Sequence, residues 1–277
     1  SFGDMLRVPG SQKSLLEVKA EGADVRILYS PLEAVKIAED NPDREVVFFA
    51  VGFETTAPAN ALSVVHAHRR GVKNYSILAS HVLVPPAIKA VIDDEESKID
   101  GFLAAGHVCT IMGNAEYHLI SAKYKVPIVV TGFEPLDVLQ GILMVIRQLE
   151  QSKSSVENQY ARIVREDGNL EAQKVINEVF EVRNQMWRGI GEIPESGYAV
   201  REKYAEFDAA KKYNVTIDEA PENPDCISGQ IMKGIKKPFE CSQFGKKCKP
   251  TNPLGAPMVS SEGACAAYYH FSGLVEA

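Results

Sequence analysis

Short apolar runs alternate with longer amphipathic segments between about residues 25 and 164. The short runs have the length of strands and are rich in β-branched and aromatic residues. The runs predicted as strands are VRILY, VVFFAV, YSILA, GFLAA, PIVVT and ARIV. The segments between them with helical length and spacing are APANALSVVHAHR, PPAIKAVI, IMGNAEYHLISAKY and PLDVLQGILMVIRQL. Near-continuous apolar strands that alternate with helices are typical of a parallel sheet covered on both faces, so the sequence predicts an α/β protein.

The pattern changes twice further along the chain. From Glu171 to Tyr213 the apolar spacing is helical, in the segments EAQKVINEVFEVRNQMW and REKYAEFDAAKKY. After Pro221 the periodicity fades, while proline, glycine, lysine and cysteine accumulate. This last region has too little regular apolar pattern to hold itself together without a cross-link or a metal. We therefore predict a first α/β domain at residues 1–105, a second with a helical extension at 106–220, and a cysteine-rich region at 221–277.

The same corner follows two of the predicted strands, as VVFFAVGFETTAP and as PIVVTGFEP. Gly52 and Gly132 permit backbone geometry that a Cβ would hinder. Because open α/β sheets bind ligands at the carboxyl ends of their strands, Glu54 and Glu134 are candidate site residues. A carboxylate is also favourable at the start of its own helix, and we prefer that interpretation for Glu134. For Glu54 both interpretations stay open, since Glu-Thr-Thr places three polar side chains at one strand end. Thr55 or Thr56 can cap the helix that follows.

A third predicted strand ends in the loop AGHVCT, residues 105–110. His107 in this loop is a candidate proton carrier or metal ligand, because imidazole changes charge near neutral pH. A lone histidine is also common as a hydrogen-bonded structural residue, and that alternative stays open. We interpret Cys109 as a small buried apolar residue rather than as a nucleophile.

The composition excludes some classes of function. The 277 residues are 45% hydrophobic and carry a formal net charge of −7. An acidic surface of this kind argues against general binding to nucleic acid or to an anionic membrane. No apolar run approaches the roughly 20 residues that a membrane-spanning helix needs. The first residues, SFGDML, lack an initiator methionine and resemble a strand, so we expect the sequence to be part of a longer protein.

Four of the five cysteines lie near the end of the chain, at Cys226, Cys241, Cys248 and Cys265, with 14, 6 and 16 residues between them. Six lysines stand against two glutamates in this stretch, which would stabilise a negatively charged centre or offer a docking face to an acidic partner. Structural zinc usually takes paired ligands about two to four residues apart. The spacing therefore favours an iron–sulfur cluster, whose size suits ligands from separated loops. Zinc and free thiols stay open, whereas the lack of a secretory signal disfavours a disulfide framework.

Taken together, these motifs resemble those of one family. The segments that carry the resemblance are GFETTAP, the GHV loop, VTGFEPLDVLQGI and the cysteine frame that ends in MVSSEGACAAYY. Over essentially its whole length the chain is similar to HypD, the scaffold protein of [NiFe]-hydrogenase maturation. The resemblance implies two Rossmann-like α/β domains with parallel sheets flanked by helices, plus a small C-terminal iron–sulfur region. It also implies a cytoplasmic protein that assembles the Fe(CN)2CO unit with a HypC-type small chaperone and a HypE-type cyanide donor.

The resemblance also implies roles for individual residues. The expected ligands of a [4Fe-4S] cluster that exchanges electrons with thiols are Cys226, Cys241, Cys248 and Cys265. The candidates for proton handling near the iron site are His107, in the GHV motif, and Glu262, in the SSEGAC motif. The candidates that line the cleft around the iron site are Glu54, Thr55 and Thr56.

The sequence departs from the family pattern in two places. Family members carry a Cys-Gly-Gly-His motif and a Cys-Gly-Pro-Gly-Cys-Pro-Val-Cys motif ahead of FGDMLRVPGS, and neither is in this sequence. Pro257 stands where we expect cysteine in some relatives.

Two rival functions stay open. One is an α/β enzyme that binds a small anionic substrate at its helix N-termini, with structural zinc on the C-terminal cysteines. The other is an interaction module with a basic docking surface.

Overall fold

Two parallel sheets flanked by helices form the framework of the protein, so the predicted α/β class is confirmed. The structure is a computed structural model, and it describes residues 1–10, 12–215 and 223–272. Its strands are β1 Val46–Gly52, β2 Tyr75–His81, β3 Phe102–Ala105, β4 Ile128–Thr131, β5 Val156–Asn158, β6 Phe180–Trp187 and β7 Gly191–Val200.

The helices lie between these strands and after them. The α-helices are α1 Leu15–Ala20, α2 Pro31–Asp40, α3 Ala57–Arg70, α4 Val84–Asp93, α5 Gly106–Met112, α6 Ala115–Tyr124, α7 Pro135–Glu150, α8 Leu170–Val179, α9 Ala209–Lys212, α10 Ser228–Met232 and α11 Ala264–Phe271. Short 3-10 helices span Gly3–Arg7, Glu202–Phe207, Pro238–Glu240 and Ala256–Met258. None of the helices in the described ranges is long and apolar enough to cross a membrane.

The first sheet consists of β1 and β2, which pair in parallel from Val46 opposite Tyr75 to Gly52 opposite His81. The apolar runs of these strands are buried beneath α2 and α3, and the same core continues into α8 and β7. Since both strands run in the same direction, their carboxyl ends lie at one edge of the sheet. The first Gly-Phe-Glu corner follows β1 at that edge.

The second sheet has the order β3-β4-β5, with all neighbours parallel. The central strand β4 is buried along its whole length, as its unbroken run of apolar residues predicts. The loop that carries His107 follows β3, and the second Gly-Phe-Glu corner follows β4. Parallel pairing therefore places these two loops side by side.

Three segments of the α/β region differ from the prediction. VRILY at residues 25–29 is not a strand, and its Leu28 N–H bonds to the Ser1 carbonyl instead of to a sheet. ARIV at 161–164 forms a turn, because the Val164 N–H returns to the Tyr160 carbonyl, and the strand that pairs with β4 is β5. The helix predicted over IMGNAEYHLISAKY is divided at Gly113, whose φ of 75° ends α5.

An antiparallel pair, β6 and β7, replaces much of the helical region predicted after Glu171. The first helix ends at Val179 and the chain continues directly as β6. Its partner β7 contains Pro194 and Gly197, residue types that weaken a strand pattern. The hairpin attaches to the first sheet, since the Leu83 N–H donates to the Ser196 carbonyl at 2.8 Å. REKYAEFDAAKKY forms only a 3-10 helix and the short α9.

The C-terminal region consists of short helices and turns around a small core. The buried members of that core are Cys248, Met258, Cys265 and Ala266. Two of the four are cysteines, which agrees with the prediction that this region has little apolar core of its own. The domain boundary predicted at residue 221 lies outside the described residues.

Candidate functional site

The four C-terminal cysteines line one small cavity. Cys226 precedes α10, Cys241 follows a 3-10 helix, Cys248 lies in a tight turn, and Cys265 lies in the first turn of α11. The apolar side chains that complete the cavity wall are Ile227, Ile231, Phe244, Pro257 and Met258. Four separate short elements therefore meet at the thiols, as the cysteine spacing predicts for a shared centre.

Burial gives these thiols an unfavourable environment for negative charge. The pKa of the Cys265 thiol is raised to about 12. The main cause is burial, and the neighbouring thiols of Cys248, Cys226 and Cys241 add to it. Burial also raises the pKa of Cys248. Several thiolates can share such a cavity only around a positive centre, because like charges repel strongly where water is excluded. A metal centre supplies that charge, and thiolate is the form of cysteine that binds it.

The backbone around the cavity is also suited to sulfur ligands. The Leu254 N–H donates to the Cys248 Sγ at 3.4 Å. Such hydrogen bonds stabilise a thiolate and tune the metal centre that it binds. At Gly255 an added Cβ would lie 2.4 Å from the Cys226 Sγ, so glycine leaves room for that sulfur. The residues present therefore fit a metal centre with four thiolate ligands.

Glu54 follows β1, but its carboxylate is held by a different helix. The side chain is buried, and its Oε1 accepts a hydrogen bond from the Val84 N–H, in the first turn of α4, at 2.9 Å. Its Oε2 has no hydrogen-bond partner among the described residues. Burial raises the pKa of Glu54 to about 7. Glu54 therefore caps the neighbouring helix α4 rather than its own helix α3.

The first corner needs glycine, as predicted. Gly52 has a φ of 154°, and an added Cβ would lie 2.0 Å from the Thr56 Oγ1. Thr56 occupies the N-cap position of α3, but its hydroxyl donates to the Phe53 carbonyl at 3.1 Å and accepts no helix N–H. The predicted capping by a threonine side chain is therefore wrong for Thr56. Thr55 beside it is half-buried.

At the second corner the buried carboxylate belongs to Asp137. Glu134 is exposed at the N-cap position of α7 and makes no side-chain capping hydrogen bond. Asp137 accepts hydrogen bonds from the Arg162 Nη1 at 2.9 Å, the Arg162 Nη2 at 2.5 Å and the Gln159 Nε2 at 2.8 Å. The bonds from Arg162 and Gln159 hold the pKa of Asp137 below its ordinary value. The corner is therefore fixed by an ionised aspartate that sequence reasoning did not select.

His107 and Glu262 lie in different surroundings. The His107 side chain is exposed at the start of α5, and its ring centroid is 4.7 Å from that of Phe133. Glu262 is exposed in the turn before α11, where its N–H donates to the Ser260 Oγ at 3.2 Å. No hydrogen bond or ion pair joins the two side chains, both of which the structure describes. The structure thus brings His107 to the second corner and leaves Glu262 in the turn that precedes Cys265.

The residues around the candidate site that sequence reasoning missed act mostly through their neighbours. Asp137 had a usable signal, because an acidic residue in the first turn of a helix after a strand-end loop is a candidate site residue. Arg162 and Gln159 had no such signal, because Arg162 lies within ARIV, which has the pattern of a strand, and Gln159 comes shortly before it. Leu254 and Gly255 contribute a backbone N–H and space for a sulfur, which depend on the fold rather than on a motif.

Comparison with known proteins identifies the family. The model of the HypD family, described as the hydrogenase formation hypA family, matches residues 1–272. The chain belongs to the HypD family. The range matched by the HypD family model spans both Gly-Phe-Glu corners, the His107 loop and the four cysteines of the cavity.

Curated HypD proteins are similar over nearly the whole chain. The hydrogenase maturation factor HypD of Azotobacter vinelandii is 48% identical over 278 residues, which cover 98% of this chain and 73% of the relative. The protein of the same name from Rhodobacter capsulatus is 48% identical over 281 residues, with 99% and 74% covered. That of Escherichia coli (strain K12) is 44% identical over 272 residues, with 98% and 73% covered.

Proposed function

We propose that this protein is a cytoplasmic scaffold for assembly of the Fe(CN)2CO unit of [NiFe]-hydrogenase, and that it carries a [4Fe-4S] cluster on Cys226, Cys241, Cys248 and Cys265. The observation that carries the proposal is the meeting of four thiols from separate elements at one cavity. The relatives named hydrogenase maturation factors support the process in which it takes part. The proposed partners are a HypC-type chaperone and a HypE-type cyanide donor.

Zinc is the alternative centre for four thiols, and the spacing of the cysteines favours a cluster. Structural zinc usually takes paired ligands about two to four residues apart. Here 14, 6 and 16 residues separate the four cysteines, which come from separate short elements that line one cavity. An iron–sulfur cluster occupies the space between its cysteines with its own atoms, which suits ligands from separated loops.

When bound, the cluster would supply electrons for exchange with thiols. The chain's own residues set the conditions for that exchange. Cys248 and Cys265 hold their sulfurs in a buried position, and Phe244 and Met258 form part of the apolar wall around them. Exclusion of water and the N–H from Leu254 both tune a cluster's potential.

Proton handling is assigned to separate groups. His107 is exposed at the carboxyl end of β3, where it can exchange protons with the iron unit or a bound partner. Glu262 is exposed three residues before Cys265 and serves the cluster loop. Glu54 is buried, so we assign it to holding a proton behind the iron site, beside Thr55 and Thr56, rather than to contact with solvent.

Replacing His107 tests this assignment. We expect His107→Ala to fold and to keep the cysteine centre, because its ring is exposed and contacts Phe133 rather than the cavity. Loss of a positioned acid–base group lowers a rate by about 100-fold or more. Hydrogenase activity in a strain that lacks its own HypD, complemented with the variant, should fall accordingly. Glu262→Ala should give the same phenotype through the cluster loop.

His118→Ala is the matched control. This histidine is also exposed and also lies on a helix after β3, but it pairs with Glu166 at 2.9 Å. It should complement the strain as well as the wild type does. Normal hydrogenase maturation with His107→Ala would remove His107 from the site, and normal maturation with Glu262→Ala would do the same for Glu262.

A further inference from the structure

The loop after β5 joins the two strand-end loops of the second sheet. Arg162 lies in this loop and makes a two-pronged ion pair with Asp137, which belongs to the first turn of α7. Gln159 donates to the same carboxylate at 2.8 Å. A carboxylate that receives three hydrogen bonds from a guanidinium and an amide has one strongly preferred orientation. The start of α7 is therefore anchored to residues 159–162.

Tyr160 extends this anchor to the loop that carries His107. The Arg162 guanidinium lies over the Tyr160 ring, 4.4 Å from its centroid. An added Cβ would lie 2.6 Å from the Tyr160 ring at Gly106 and 2.9 Å from it at Gly132. One tyrosine ring thus packs against the backbone immediately before His107 and immediately before Phe133. Only glycine at these two positions allows so close an approach.

The result of this packing is visible at the surface. Phe133 is 58% exposed, yet its ring lies against the imidazole of His107. Exposed side chains ordinarily sample several rotamers, and holding two of them together costs conformational entropy. The fixed backbone at Gly106 and Gly132 sets the positions from which the two side chains extend, because each glycine immediately precedes one of the two residues. The ion pair persists at neutral pH, since the bonds from Arg162 and Gln159 keep Asp137 ionised.

We propose that Gln159, Tyr160 and Arg162 are positioning residues that hold the imidazole of His107 against Phe133, through Asp137 and the two glycines. The inference rests on the proposed role of His107 in proton handling, which it deepens. In the described chain no hydrogen bond or ring contact joins any of the three residues to the His107 ring. Their effect is to fix where the imidazole is presented to the iron unit or partner.

Nuclear magnetic resonance of histidine-labelled protein tests the positioning directly. The ring current of Phe133 shifts the signals of the His107 ring. Loss of signals in His107→Gln identifies which signals belong to His107. Phe133→Leu removes the ring current and gives their unshifted position. We expect Arg162→Leu and Tyr160→Leu to move the His107 signals at least half-way to that reference. Tyr160→Phe keeps the ring and should leave them unchanged. The His118 signal, paired with Glu166, reports that each variant is folded.

Unchanged His107 signals in folded Arg162→Leu and Tyr160→Leu would overturn the proposal. Arg162→Lys gives an independent answer if either of these fails to fold, because Arg162 is half-exposed and lysine keeps the charge but not the two-pronged geometry. A partial movement of the His107 signals in Arg162→Lys supports positioning, and unmoved His107 signals contradict it. If the signals move in these variants but the His107→Ala protein still matures hydrogenase normally, positioning stands and the proton-handling role of His107 fails.

Discussion

The Cys248→Ala variant should lose its metal centre and the stability of residues 223–272. Cys248 is a buried member of the small C-terminal core and lines the shared cavity. Alanine removes one of the four proposed ligands and leaves the Leu254 N–H without its sulfur acceptor. We expect bound iron to fall more than about tenfold, since even groups around a metal site change affinity by about 10- to 100-fold. Iron content, visible absorption and protease sensitivity of the C-terminal region measure the outcome.

Cys109→Ala is the matched control for this prediction. Cys109 is also buried, but it lies on α5 in the core of the second sheet and is not among the residues that line the cavity. The Cys109→Ala protein should retain iron and colour at the wild-type level, even if the core of the second sheet is loosened. A Cys248→Ala protein that is brown, folded and fully loaded with iron would show that Cys248 is not a ligand.

Glu54→Gln should stabilise the protein at alkaline pH and have much less effect in acid. The folded-state pKa of Glu54 is raised from 4.5 to about 7 by burial. The protonated form is therefore the favoured one, and its contribution is fully present below pH 4.5 and lost as the pH rises through about 7. Glutamine retains an oxygen to accept the Val84 N–H but does not ionise. The stability advantage of the variant should grow by about 2 kcal/mol between pH 5.5 and pH 8.5.

Urea unfolding of both proteins at each pH measures this difference. The comparison must be made at matched pH, because burial lowers the pKa of His81, which lies opposite Gly52 in the first sheet, to about 4, and this histidine changes stability in the opposite sense. This histidine is present in both proteins, so its effect cancels. The charge of Glu116 contributes to the raised pKa of Glu54. The charge of Glu54 in turn contributes to the raised pKa values of Cys109, Tyr117 and Tyr198. Identical pH dependence in the two proteins would mean that Glu54 stays ionised.

The parts of the fold that were predictable are those in which local pattern and tertiary contacts agree. β1, β2 and β4 are near-continuous apolar runs, which suit only the interior of a covered parallel sheet. VRILY has the composition of a strand but no sheet partner in the described chain. β6 follows α8 without a break in apolar spacing, so the switch at Phe180 depends on its pairing with β7.

The candidate site likewise has parts that the sequence predicts and parts that it does not. The cysteine spacing predicts a shared centre, and the structure brings all four thiols to one cavity. The partner of Glu54 was not predictable, because Val84 lies 30 residues away and reaches the carboxylate only after α3 and β2 have folded. The pair of Asp137 and Arg162 likewise depends on a turn where the sequence predicts a strand.

The most direct test of the cluster assignment is the content of iron, acid-labile sulfide and zinc in the anaerobically purified protein, together with its visible spectrum. The proposal predicts about four iron and four sulfide per chain, with broad thiolate-to-iron absorption that disappears in Cys248→Ala. One zinc per chain with neither iron nor sulfide would contradict it. The four cysteines would then be a structural zinc site, and the electron exchange proposed for this protein would have no carrier.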